Sequence, residues 1–275
     1  MFGLPLSEIA LLVLALIGAG LFGGIIAGLF GVGGGTVLVP VLFYAFTVLG
    51  VGGEGDLHTA IGTSLATIVF TSLASGLGHH RKGAIDTALL KLWAPSILVG
   101  VVIGSVLGGY VSGKVLIAVF AVVALAVSAD MILRKGRADP EPKGFSRPVW
   151  AAFGVFAGGV SAMMGIGGGS FGVPLMSLFN VPIHRAVATA AGFGGLIAVP
   201  SVIGFLLVDA TPNSPPLTVG AVNLPTFAIV IAMTLITAPL GVKLAHAMDP
   251  KPLKRVFAVF LILVALNMLR KSLGL

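Results

Sequence analysis

Two ten-residue stretches are the first candidates for chemistry. They are GVGGGTVLVP, Gly31–Pro40, and GIGGGSFGVP, Gly165–Pro174. Six of the ten positions are identical, and two more are Val/Ile and Thr/Ser exchanges. Each glycine inside a helix costs roughly 1 kcal/mol against alanine, so three in a row mark a break. Consecutive glycines also share no single helical face, which separates them from a packing stripe. Two readings are open. One is a structural hairpin. In the other, each run opens a short apolar helix whose free N–H groups and partial positive charge cradle an anion. The cradle would be Gly33, Gly34, Gly35 and Thr36 in one copy, and Gly167, Gly168, Gly169 and Ser170 in the other. Thr36 and Ser170 would add a hydroxyl donor. Pro40 and Pro174 would break each helix further on, since proline frees the carbonyl four residues back. No lysine follows the glycines, so neither run is a nucleotide loop.

A second duplicated segment follows each motif. LHTAIGTS, Leu57–Ser64, matches IHRAVATA, Ile183–Ala190, pairing His58 with His184 and Thr63 with Thr189. A histidine at a span end is an interfacial or capping residue, or a group that couples a proton to anion movement, because it titrates near neutrality. Arg185 aligns with Thr59. It either reaches to lipid headgroups or offers a bidentate clamp to an oxyanion. Thr63, Ser64, Thr67, Thr71 and Ser72 form one broad hydroxyl face. Such hydroxyls bond back to their own helix or line an anion path. HHRK, His79–Lys82, reads as a loop anchor, and Asp130 is spaced to pair with Arg134.

The elements that carry these residues follow from composition. Hydrophobic residues make up 57% of the 275 and charged residues 9%. A soluble domain carries about 25% charged residues, so the chain is an integral membrane protein. The net charge of +7 then suits a membrane surface rather than nucleic acid. The absence of cysteine excludes disulfides and thiolate metal sites. A span needs about 20 apolar residues. Runs of that kind cover Ile9–Phe30, Val32–Gly53, Thr59–Gly78, Leu92–Gly113 and Val115–Leu133. The first of these reads as a span and not as a signal peptide. After a charged stretch, Val149–Ile183 is long enough to fold back at the second glycine motif. Ala186–Val208, Leu224–Val242 and Leu253–Leu269 complete the series. Lys114–Met131 also matches Lys251–Met268, so the homology runs through both halves.

The expected fold is therefore an all-α integral membrane protein of about ten transmembrane segments. It divides into a first repeat at 1–134, a cytoplasmic linker at 135–148 and a second repeat at 149–275. Five crossings per half force the second half to enter from the opposite side, an inverted repeat with broken glycine-rich helices. With both termini outside, eleven basic residues fall in inside loops and three in outside ones, as the positive-inside rule asks. Re-entrant glycine segments that do not cross weaken this bias.

The paired G-[VI]-GGG-[TS]-x-x-VP motifs and the H-x-A segments resemble the sulfite exporter TauE/SafE family, also called the toluenesulfonate uptake permeases. The resemblance spans the chain. It implies a secondary transporter of sulfite or a short organosulfonate across the cell inner membrane. It points to Gly33–Thr36, Pro40, Gly167–Ser170 and Pro174, and to His58, Thr63, His184 and Thr189. No ATP-binding motif exists, so energy would come from a gradient of substrate, protons or sodium. The expected partners are a small anion and membrane lipids, with no cofactor, no metal and no nucleic acid. An anion channel of the same architecture is the alternative. An intramembrane enzyme is a third, although the chain has no G-x-S-x-G, H-E-x-x-H or cysteine nucleophile.

Because the chain has no native cysteine, single-cysteine labelling reads the topology directly. Arg137→Cys should be protected from an impermeant thiol reagent added outside intact cells, and Asn213→Cys should react.

Overall fold

The computed structural model describes residues 6–48, 54–107, 121–122, 125, 128–129, 132–133, 147–207 and 214–272. Nine helices and one small hairpin are described: α1 (Leu6–Phe30), α2 (Gly35–Val48), α3 (Glu54–Arg81), α4 (Thr87–Leu107), α5 (Arg147–Met164), α6 (Gly169–Leu178), α7 (Ile183–Leu206), β1 (Thr218–Val219), β2 (Val222–Asn223), α8 (Leu224–Ala247) and α9 (Pro250–Ser272). Five of them, within α1, α3, α4, α7 and α8, are long and apolar enough to cross a membrane. Leu11, Leu14, Val102, Val106, Ile236 and Leu240 are all exposed on these helices. A helix that is apolar on both its inner and outer faces is suited to lipid on the outside. Most of the expected linker at 135–148, together with Asp130 and Lys114, lies outside the described residues. Arg147 and Pro148 open α5.

The expected fold-back within 149–183 is present. α5 stops at Met164, Gly165–Gly168 turn, and α6 begins at Gly169. The first copy does the same, with α1 ending at Phe30 and α2 starting at Gly35. The helices after the turns are short, at 14 residues for α2 and 10 for α6. At 1.5 Å per residue they reach only about 21 and 15 Å, less than the roughly 30 Å of a hydrocarbon core. Neither helix crosses by itself, so any crossing here must include the glycine turn and the chain that flanks the helix.

Glycines set the helix pairs. α1 packs most extensively on α8. Gly20 faces Met233, Gly24 faces Thr234 and Thr237, and Gly28 faces Ala238 and Val242. The order is the same in both helices, so they run parallel. α4 packs on α5 in the same way, with Gly158 against Ile97, Gly100 against Val155 and Gly104 against Gly159. These are small-residue contacts that bring backbones together, as in membrane helix interfaces generally. At Gly28 a Cβ would overlap the Ala238 carbonyl oxygen.

α3 and α7 form the third large contact. The start of α7 lies beside the end of α3, where the His184 and His246 rings stack 6.1 Å apart and His246 meets His79. The end of α7 lies beside the start of α3, where Ala221 donates to the Phe205 carbonyl and packs on Gly62. These two helices are therefore antiparallel. α8 runs with α3, as the Thr71–Thr234 and His79–His246 contacts require. α4 runs with α7, since Asp86 meets Thr189 and Trp93 stacks on Phe193. The core beneath is aromatic: Trp93 lies flat on Phe193 at 5.3 Å, and Trp150 meets Phe179 at 4.0 Å.

The glycine contacts can be tested by thermal unfolding of the detergent-purified protein. Gly28→Ala should destabilise by about 1–3 kcal/mol through overpacking. Gly76→Ala should be neutral or slightly stabilising, because nothing lies within 4 Å of a Cβ there. Equal melting temperatures for the two variants would contradict the assigned α1–α8 contact.

Candidate functional site

The two glycine motifs meet. A Cβ on Gly35 would lie 2.9 Å from Ile166 Cα, and one on Gly169 would lie 2.6 Å from the Val32 amide nitrogen. Gly167 likewise packs on Val32 and Gly33. Each turn is thus wedged against the other, backbone to backbone. Each also packs on the third helix of the opposite half. Gly31 packs on Val187 and Gly165 on Ile61, and these two residues are themselves aligned positions. Gly31, Gly33, Gly34 and Gly165 have φ of 67°, 71°, 83° and 67°, a left-handed conformation that favours glycine.

The break opens two helix N-termini at one place. The first N–H groups of any helix have no intrahelical acceptor. Gly168 is the N-cap residue of α6 and supplies no side chain to cap it. Thr36 and Ser170 sit in the first turns, buried at 6% and 1% exposure. Their hydroxyl oxygens have no hydrogen-bond partner. Pro40 lies within α2 and Pro174 within α6, four residues after Thr36 and Ser170. The carbonyls of Thr36 and Ser170 therefore lose their intrahelical donors as well. An unmade hydrogen bond at a buried polar group costs about 1–3 kcal/mol. The sequence repeats that cost in both copies.

Most of the remaining candidates also make contacts within the fold. Thr63 Oγ1 accepts from the Asn223 amide at 2.9 Å, and Thr189 Oγ1 accepts from the Asp86 amide at 3.0 Å. Asp86 and Asn223 begin α4 and α8. The Asp86 carboxylate accepts from Leu89 N–H at 2.9 Å, and the Asn223 side chain from Thr226 N–H at 3.1 Å. Each threonine thus fastens the cap of the fourth helix of the opposite half. Asp-Thr and Asn-Leu-Pro are ordinary helix-start signals, so the caps were readable, but their cross-half anchor was not.

Most of the α3 hydroxyl face is also engaged. Ser64 Oγ donates to the Gly165 carbonyl at 3.0 Å, which ties α3 to the second glycine turn. Thr67 and Thr71 donate to Thr63 and Thr67 carbonyls at 3.0 and 2.9 Å. Of the face, Ser72 Oγ is buried without a partner. The Arg185 guanidinium pairs with Asp86 at 3.2 Å and so clasps α7 to α4. His58 is exposed near the start of α3 and His184 is partly buried at the start of α7.

One expectation is corrected. His79 is not a loop anchor but a buried residue in the last turn of α3, at 1% exposure. The helix runs three residues past the apolar stretch, and Gly78 beside Val242 lets α8 approach closely enough to cover it. Its partner His246 is 167 residues away, a pairing with no local sequence signal.

The description "Sulfite exporter TauE/SafE" matches residues 16–268, nearly the whole length. The chain belongs to the TauE/SafE family. It is similar to a probable membrane transporter protein of Haemophilus influenzae, 32% identical over 92% of this chain and 96% of that one. It is also similar to probable membrane transporter proteins of Methanocaldococcus jannaschii and Bacillus subtilis. The first is 28% identical over 95% of this chain and 97% of the relative. The second is 28% identical over 86% and 91%. No solved structure matches the chain. As a TauE/SafE member it is a multi-pass membrane transporter and not an enzyme.

Fold and site roles can be separated by stability. Thr63→Val and Thr189→Val each remove the acceptor of a capping amide and should destabilise by about 1–3 kcal/mol. Thr36→Val removes a hydroxyl that bonds nothing in the fold and should leave the melting temperature unchanged or raise it. Differential scanning fluorimetry in detergent checks both arms.

Proposed function

We propose that this protein is a secondary transporter of a small sulfur-containing anion, sulfite or a short organosulfonate, in the cell inner membrane. The anion binds where the glycine turns meet, at the N-termini of α2 and α6. The observation that carries this reading is the duplicated pair of buried, unpartnered hydroxyls, Thr36 and Ser170. Two positive helix ends brought together repel each other unless an anion lies between them. A fixed cation deep in a membrane is costly, whereas amide dipoles and hydroxyls bind an anion without one. The carbonyls freed by Pro40 and Pro174 can accept a hydrogen bond from a protonated oxyanion. The family description and the duplicated motifs support sulfite as the first substrate to test.

We read the halves as inverted five-segment repeats working by alternating access. Helix direction supports this. α1, α3 and α8 run one way and α4, α5 and α7 the other, so equivalent helices of the two halves oppose each other. Since α1 and α3 run the same way, the chain between them, 31–53, has to return to its starting side. On this reading, with the fifth segment outside the described residues and α9 as the last, the chain makes ten passes, the second and seventh of turn plus short helix. The α1–α8 and α4–α5 pairs flank the α3–α7 crossing. Rocking one pair against the other would expose the glycine site to each side in turn.

Sulfite binding to the purified protein should raise its melting temperature by mass action. Thr36→Val and Ser170→Ala should each weaken that binding about tenfold to a hundredfold, as loss of a donor to a charged acceptor does. Gly168→Val should abolish it, because its Cβ would collide with Phe193. Unaltered affinity in both hydroxyl variants would remove the site from the glycine turns.

A further inference from the structure

Apart from the glycine turns, the described residues hold one buried titratable pair. His79 Nδ1 lies 3.1 Å from His246 Nε2, and His79 Nε2 lies 3.0 Å from the Gly28 carbonyl oxygen. A carbonyl only accepts, so His79 Nε2 carries a proton and donates it to Gly28. In the neutral pair, His79 Nδ1 is then an acceptor and His246 Nε2–H donates to it. His246 Nδ1 is left with its lone pair, on a ring that is only partly buried.

This arrangement takes up one further proton and no more. The proton arrives at His246 Nδ1. The bridging proton can then shift from His246 Nε2 to His79 Nδ1, which leaves the charge on the buried ring and His246 neutral. The bridge and the bond to Gly28 survive in both forms. A second added proton would leave N–H facing N–H across 3.1 Å. The line ends at the Gly28 carbonyl, which cannot pass a proton on, so this is a binding site and not a wire.

The surroundings fit a site that fills and empties. The groups whose charge reaches the pair are His184 on α7 and Lys82 just past α3, and as cations both oppose the added proton. Lys243, on α8 itself, is exposed. The one ionisable residue of α1 is Glu8, in its first turn at the far end. No carboxylate is bonded to the pair among the described residues. What favours the cation is the C-terminal end of α1. Gly28 is in its last turn, where carbonyls lack intrahelical donors and carry partial negative charge. Three residues later the first glycine turn begins at Gly31.

We propose that His79 and His246 are the binding site of the coupling proton. They hold one proton between them, and its presence determines how tightly the end of α1, and with it the first glycine turn, is held against α3 and α8. A charged donor binds the Gly28 carbonyl more strongly than a neutral one. A proton bound here and an anion bound at the turn would therefore favour each other, and such coupling is reciprocal. The proposal rests on the transport reading above, but the proton site can be tested without substrate.

The first measurement uses the full chain in detergent, labelled with ¹⁵N-histidine. Ring nitrogen shifts are followed as pH falls, with His79→Gln and His246→Gln assigning the signals. The expected result is one proton taken up jointly by the two rings. Two independent titrations, or no titration of either ring in the folded protein, would overturn the proposal. The second measurement follows radiolabelled sulfite uptake into proteoliposomes with an imposed pH gradient. At one proton per anion, a tenfold proton gradient should support roughly tenfold accumulation. His246→Gln and His79→Gln should lose that response, and His80→Gln, an exposed neighbour, should keep it. A response retained in both pair variants would overturn the coupling role. If the wild type moves no sulfite, the transport reading fails for that anion and the coupling role with it, while the shared titration still decides whether the pair binds a proton.

Discussion

Everything in this structure depends on one constraint: backbone broken inside a membrane protein must be satisfied or enclosed by other protein. Two broken segments meet this requirement by enclosing each other. Gly35 and Gly169 sit so close to the opposite turn that no side chain fits. Gly31–Gly35 and Gly165–Gly169 are all buried there. The contact also explains why the motif occurs twice, since either turn alone would leave its amides without cover.

The rest of the fold serves that contact from outside. α3 and α7 cross beside it, each supporting the turn of the other half through Ile61 and Val187. Thr63 and Thr189 then tie those same helices to the caps of α8 and α4. The result is a set of exchanged contacts in which neither half is complete alone. Ser64 adds a tie that has no counterpart, because its aligned position is Ala190. The histidine pair likewise occurs once. Departures from duplication therefore lie on both crossing helices, Ser64 and His79 on α3 and Arg185, aligned with Thr59, on α7.

Polar satisfaction divides the site into roles. Hydroxyls that bond to the fold, such as Thr67 and Thr71, bond back to their own helix and serve its packing. Of the buried hydroxyls that bond nothing, Thr36 and Ser170 stand at the two positive helix ends. Buried polar groups are mostly satisfied in native proteins, and it is the duplication of this pair that sets Thr36 and Ser170 apart from the other unpartnered groups, Ser72, Ser128, Ser161 and Trp93.

Composition and local motifs determined that the chain is a helical membrane protein, that its glycine and H-x-A segments occur twice, and that helices break at Gly31–Gly35 and Gly165–Gly169. These are local properties: apolar run length, glycine cost and proline geometry act within a few residues of chain. Which hydroxyls are bonded within the fold was not local. Thr63 and Thr36 look alike in sequence, yet one is bonded to Asn223, 160 residues away, and the other to nothing. Arg185 could reach to headgroups or to an oxyanion by sequence, and packing also sets it beside Asp86. His79 looked like a loop residue until α8 covered it and brought His246 within 3.1 Å. Only tertiary packing decided these, because a hydrogen bond depends on distance in space, and helix crossings bring together residues that lie far apart along the chain.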